Sequence, residues 1–123
     1  MAVEFEAPVM QPPHRIILLG AMTSAWYEAT DDARRTRILP RFSGLMEEWR
    51  ALGVRILGTL DDDLFMVGEP RVGGVTFYLM CEVDRMETIV AMLERIRETV
   101  DGVRLDAYMR FEARVGRPFF LLE

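Results

Sequence analysis

The sequence predicts a single α+β domain, and three observations carry that reading. The chain has 123 residues, a length that suits one domain and leaves no room for two. Two long stretches place apolar residues at helical spacing. Four short apolar or alternating runs read as strands, in the order strand, helix, strand, strand, helix, strand.

Met1 to Pro13, with Pro8, Pro12 and Pro13, reads as a flexible or extended arm ahead of a domain spanning 14–123. Arg15 to Met22, RIILLGAM, is rich in Ile and Leu and suits a central, buried strand. Thr23 to Thr30 carries Trp26 and Tyr27 in a connecting segment. Thr30, Asp31 and Asp32 then suit a helix start, because short side-chain oxygens accept the orphan N–H groups and acids complement the positive helix end. Ile38, Phe42, Leu45, Met46, Trp49 and Leu52 form the buried stripe of that helix. Pro40 should kink or restart it, and Gly53 should stop it in a left-handed conformation.

Val54 to Leu60 reads as the second strand, Asp61 to Asp63 as an acidic turn, and Leu64 to Val67 as an extended return. Gly68 to Gly74 is a loop by its Gly and Pro content. Val75 to Val83 alternates strictly, with Val75, Phe77, Leu79, Cys81 and Val83 on one face. Asp84 and Glu87 form a capping box that should open a second helix, with Met86, Ile89, Val90, Leu93, Ile96 and Val100 buried and Asp101–Gly102 ending it. A last strand is expected over 103–115, with Leu105, Ala107, Met109, Phe111 and Ala113 facing one way. Asp106, Tyr108, Arg110, Glu112 and Arg114 would face the other. This order is the split β-α-β of a ferredoxin-like fold, a four-stranded antiparallel sheet with both helices on one face. The open face then needs polar side chains or a partner, and a two-fold homodimer closing a barrel is the simplest answer.

A net charge of −5, with basic residues interspersed among acids, argues against nucleic acid as a partner. Half of the residues are hydrophobic, which hints at an interface or a ligand pocket beside the core. Cys81 is the only cysteine, so no intramolecular disulfide can form and a reducing cytoplasm is expected. The acidic N-terminal residues resemble neither a signal peptide nor a membrane anchor.

Chemistry-bearing residues are few. His14 is the only histidine, and no spaced ligand cluster joins it to Cys81, so no metal or cofactor is expected. Ser24 and Ser43 lie in no nucleophile pattern, and GEPRVGG lacks the Lys and Ser/Thr of a phosphate loop. Arg110 or Arg114 could bind a carboxylate through two parallel hydrogen bonds. Glu112 could serve as a base if partly buried, although these charges could equally pair with one another. His14 could transfer a proton at a pocket mouth, or simply sit at the surface. Trp26, Tyr27, Trp49 and Tyr108 offer flat aromatic surface, Trp49 more naturally as core. Asp61 to Asp63 suit an acidic hairpin turn, although three adjacent acids repel one another.

The layout resembles the dimeric α/β-barrel superfamily, which includes cofactor-free monooxygenases, muconolactone isomerase and polyketide cyclases. Two stretches carry a closer likeness: VRILGTLDDDLFMVG over 54–68 and YMRFEARVGR over 108–117 are similar to the IacB family, encoded with enzymes of bacterial indole-3-acetic acid breakdown. The region before Arg37 carries none of that likeness. The resemblance implies a small protein of aromatic-compound catabolism and supplies no mechanism. Taken with the residues above, the chain is expected to be a cytoplasmic, cofactor-free isomerase or monooxygenase-like enzyme with a pocket between sheet and helices. A non-catalytic binding or accessory protein is the alternative. The expected catalytic set is His14, Asp62, Arg110 and Glu112. The expected ligand-binding set is Trp26, Tyr27, Trp49, Asp61, Met66 and Tyr108. The partners expected are a small aromatic ligand and a second copy, with neither nucleic acid nor membrane.

Overall fold

The computed structural model describes residues 10–62, 67–68 and 74–122. Its elements run β1 (His14–Met22), α1 (Ser24–Glu28), α2 (Asp31–Ala33), a π-helical turn (Arg34–Ile38), α3 (Leu39–Ala51), β2 (Arg55–Asp61), β3 (Phe77–Val83), α4 (Met86–Ile96), β4 (Thr99–Val100), β5 (Val103–Arg104), a 3-10 turn (Leu105–Ala107), β6 (Met109–Gly116) and a terminal 3-10 turn (Phe120–Leu122). The chain is a mixed α+β structure with a four-stranded antiparallel sheet in the order β2-β3-β1-β6. That arrangement is consistent with the ferredoxin-like class in general.

The apolar run of β1 makes it central, and it pairs with β3 on one side and β6 on the other. Alternation sends Ile16, Leu18, Leu79, Cys81 and Val83 inward, where they join Leu45 and Trp49 of α3 and Ile89, Met92 and Ile96 of α4 in one buried cluster. Each such side chain contributes about 1.5–3 kcal/mol by leaving water. The Trp49 indole N–H donates to the Met92 carbonyl at 3.1 Å and so ties the two long helices together. Arg41 adds a second tie. Its buried guanidinium donates to Glu48 at 2.5 Å and to the Arg95 carbonyl near the end of α4.

Thr30 caps α2 as expected, its hydroxyl accepting the Ala33 N–H at 3.0 Å. Pro40 lies in the first turn of α3, where the helix restarts after the π turn. Proline has no N–H for the Thr36 carbonyl and crowds it, and the preceding residues widen into the π turn, with the Leu39 N–H reaching back to Arg34. Gly53 follows α3 at φ 96°, the left-handed stop its position predicts.

Several expectations are corrected. Trp26 does not lie in a loop but on α1, partly buried against the core. The Asp84–Glu87 capping box does not form. Arg85 takes the N-cap position without a side-chain bond, while Asp84 is drawn to Arg55 of β2 at 3.1 Å. With the helix beginning at Met86, its buried stripe is Ile89, Met92 and Ile96, and Met86 and Val90 are exposed. Asp101 and Gly102 do not end α4, which stops at Ile96. Their positive φ values, 51° and 77°, turn the small β4–β5 hairpin. The expected long strand over 103–115 is broken by the 3-10 turn, so Leu105, Ala107 and Tyr108 leave the ladder and β6 begins at Met109. The expected arm is described only from Met10, and the return over 64–66 lies outside the described residues.

One inward row has a glycine at its centre. Gly20 of β1 pairs with Phe77 on one side and Phe111 on the other, and both rings meet Phe42 of α3 at centroid distances of 5.6 and 6.1 Å. A Cβ on Gly20 would overlap the Phe77 ring. Gly20→Ala should therefore lower the unfolding free energy by about 1–3 kcal/mol in a denaturant titration. Gly116→Ala, where a Cβ meets nothing, should stay within about 0.5 kcal/mol.

Beyond the hairpin, Arg104 grips Asp106 through two hydrogen bonds at 2.6 and 2.9 Å and holds its carboxyl below the usual range. A carboxyl depressed in the folded state stabilises above its unfolded value and loses that contribution as pH falls through the folded one. Asp106→Asn should consequently flatten the acid limb of the stability profile below about pH 4 and leave its neutral-to-alkaline shape unchanged.

A candidate ligand cleft on the open sheet face

The helices cover one face of the sheet, and the other face carries the residues that alternate with the core. Strand register arranges them in rows. At one end, Arg55, Glu82 and Arg15 line up across β2, β3 and β1 with alternating charge. Next come Gly58, Met80, Ile17 and Arg114, then Leu60, Tyr78, Leu19 and Glu112. At the far end Ala21 pairs with Arg110, and the Asp62 N–H donates to the Thr76 carbonyl at 3.0 Å, so Asp62 and Arg110 lie near opposite sides of one row.

That last row borders an open cleft of about 400 Å³ lined by Ala21, Met22, Thr23, Tyr27, Thr76 and Arg110 among others. Its walls are fixed by the backbone. Thr23 donates its hydroxyl to the Ala107 carbonyl at 2.7 Å and its N–H to the Tyr108 carbonyl at 3.0 Å, clamping the start of α1 to the approach of β6. Arg34, stacked 5.7 Å from the Trp26 ring centre, donates to the Trp26 and Tyr27 carbonyls. Tyr27 is thereby held with 66% of its surface exposed. Thr76 accepts the Met22 N–H at 3.3 Å through its hydroxyl oxygen, leaving the hydroxyl proton to donate. Arg110 has no hydrogen-bond or ion-pair partner among the described residues, whereas Arg114, one step along β6, pairs with Glu112 at 3.1 Å.

Beside Thr76, the Tyr78 hydroxyl hydrogen-bonds the Asp62 carboxylate. This pair beside the cleft is suited to passing a proton between neighbouring oxygens. Tyr78 on β3 stands two strand spacings, roughly 10 Å, from β6 and Arg110, and Asp62, just past the end of β2, stands three, with Ala21 and Leu19 forming the floor between. A flat molecule anchored at Arg110 would lie across that floor towards Tyr78.

The sequence candidates divide accordingly. Asp62, Arg110, Glu112 and Tyr27 are on or beside the open face. His14 is not with them. It points inward at the other end of β1, 6% exposed, with Nδ1 unpartnered, seven residues from Ala21 or roughly 23 Å along the strand. Trp49 is wholly buried and bonded to Met92, so it is core rather than a stacking surface. Tyr108 leaves the row expected for it and packs against the core after the 3-10 turn. Asp61 ends β2 opposite Phe77, exposed. Met66 and Asp63 lie outside the described residues. Thr76 and Tyr78 were not anticipated. Tyr78 could have been found by reading the second face of the alternating 75–83 run.

Among the described residues no cluster of three or more metal-ligating side chains occurs, and no helix is long and apolar enough to cross a membrane. No family model, curated protein or solved structure matches the chain.

Cys81 offers no alternative chemistry. Burial on the inward face of β3 pushes its thiol up to about 11. Native protein should resist a thiol reagent at pH 8 and take up one equivalent only after denaturation. Rapid labelling of the native chain would contradict this packing.

Proposed function

We propose that this chain binds a small aromatic carboxylate on the open sheet face, as a cytoplasmic homodimer serving bacterial breakdown of indole-3-acetic acid-type compounds. The observation that carries the reading is Arg110, a guanidinium with no partner among the described residues, in a cleft bordered by the exposed ring of Tyr27. All fifteen basic residues of the chain are arginine, and among those on this face the Arg110 fork is the one open to a carboxylate through parallel hydrogen bonds. Tyr27 supplies a flat surface, Ala21 a low floor, and Thr76 a hydroxyl donor. The IacB-like stretches include two of the residues that frame this reading, Asp62 and Arg110. Homodimerisation accounts for the exposed apolar side chain of Ile17 on the same face.

An enzymatic role is favoured by the Tyr78–Asp62 pair, which could move a proton to or from a bound ring without a cofactor. In this reading Arg110 orients the acid and Tyr78 with Asp62 exchanges the proton, the step required of an isomerase. Binding without conversion is the alternative.

Titration of tryptophan fluorescence with indole-3-acetate, followed by chromatographic and NMR analysis of the ligand, tests both. Saturable quenching is expected, because Trp26 adjoins Tyr27. Arg110→Ala should weaken binding by about 10–100-fold, the loss of a charge-assisted bond of roughly 1.5–3 kcal/mol. Tyr78→Phe should leave binding intact and abolish formation of any isomer or other product. A flat response in the wild-type protein rejects the reading, and saturation with the ligand recovered unchanged makes this a binding protein.

A further inference from the structure

The chain carries a second depression on the sheet, a groove of about 810 Å³ at the opposite end from Arg110. Met10 and Pro13 form one wall, Gly116 and Pro118 another, and Ile17, half exposed on β1, contributes to its lining. Arg15 and Arg114 also line it, both with largely exposed side chains. Immediately beyond Pro118 the chain turns through Phe120–Leu122, and this hook presents Leu121 at 69% and Leu122 at 84% exposure. Two consecutive leucines held in water next to an apolar groove are an uncovered surface, not a solvated tail.

We propose that the hook of one chain docks into this groove on a second copy, and that the second copy returns the same contact. The inference rests on the homodimer proposed above and names the surface that makes it. Hook and groove are contiguous in each chain, joined through Gly116–Pro118, so a two-fold axis beside β6 sets each hook against the partner's groove. Such a self-complementary patch is what an isologous contact requires. The charges agree. The groove offers Arg15 and Arg114, and Glu123 follows the two leucines in sequence. The leucines fill the apolar part beside Ile17, and the acidic residue after them meets the guanidinium groups, which among the described residues are paired with the single carboxylates of Glu82 and Glu112.

Sedimentation and site-directed crosslinking test the proposal. The wild-type protein should sediment as a dimer, and the double variant Leu121→Glu, Leu122→Glu as a monomer with an unchanged circular dichroism spectrum. An equimolar mixture of Ile17→Cys and Leu121→Cys chains, oxidised in air, should give a disulfide joining residue 17 of one chain to residue 121 of the other. Cys81 stays out of the reaction because it is buried. A double variant that remains dimeric overturns the hook as the contact and leaves the homodimer standing. No 17–121 bond in this mixture, together with an internal bond in a separate double variant Ile17→Cys, Leu121→Cys, shows the hook folding onto its own groove, which also overturns the proposal. A monomeric wild-type protein removes the dimer altogether, and ligand binding at Arg110 is then still decided by its own titration.

Discussion

The structure depends on a sheet that has two faces and helices that cover only one of them. The buried cluster packs the inward side chains of β1 and β3 against the stripes of α3 and α4, together with Ile38, Val54, Val103, Leu105 and Met109, with Trp49 as the joint. Its indole N–H would cost on the order of 1–3 kcal/mol to bury unpaired, and the Met92 carbonyl removes that cost while fixing how the two helices meet. Arg41 repeats the logic with a charge, placing a buried guanidinium between Glu48 and the Arg95 carbonyl. The inner face is therefore committed to stability, and exposed chemistry is left to the outer one.

That division explains where the cleft lies. Alternation along β1 sends Ile16, Leu18 and Gly20 to the core and Ile17, Leu19 and Ala21 to the open side. Ala21 makes the floor of the cleft low, while its neighbour Gly20 makes room for the Phe77 ring on the other face. The two small residues thus serve opposite faces at one end of the strand. Thr23 and Arg34 then hold α1 against this end by bonding backbone carbonyls, an arrangement that keeps Tyr27 in water without leaving it loose.

Much of the fold was legible because single residues announced it. Thr30 as a cap, Gly53 as a stop and the alternation expected over 75–83 each act through local geometry, and the structure retains the first two and the alternation from Phe77 to Val83. What escaped depended on partners distant in sequence. Asp84 has the composition of a cap, but Arg55, twenty-nine residues earlier, binds it first. The strand pattern over 103–115 continues through Leu105–Ala107, yet the Asp101–Gly102 turn pairs β5 back on β4 and the ladder resumes only at Met109. The site shows the same limit. Arg110 and Tyr27 were recognisable as residue types suited to an aromatic acid, whereas His14 had to be placed in three dimensions before its burial removed it from the set. Tyr78 became visible once the partner of Asp62 was known.

The measurement that tests this account most directly is a map of backbone amide and arginine Nε–H resonances as indole-3-acetate is added. The account predicts that shifts concentrate at Tyr27, Thr76, Tyr78 and the Arg110 side chain, with Trp49 and His14 unmoved. Shifts centred on the helix-covered core, or saturable binding that leaves the Arg110 Nε–H in place, would contradict it.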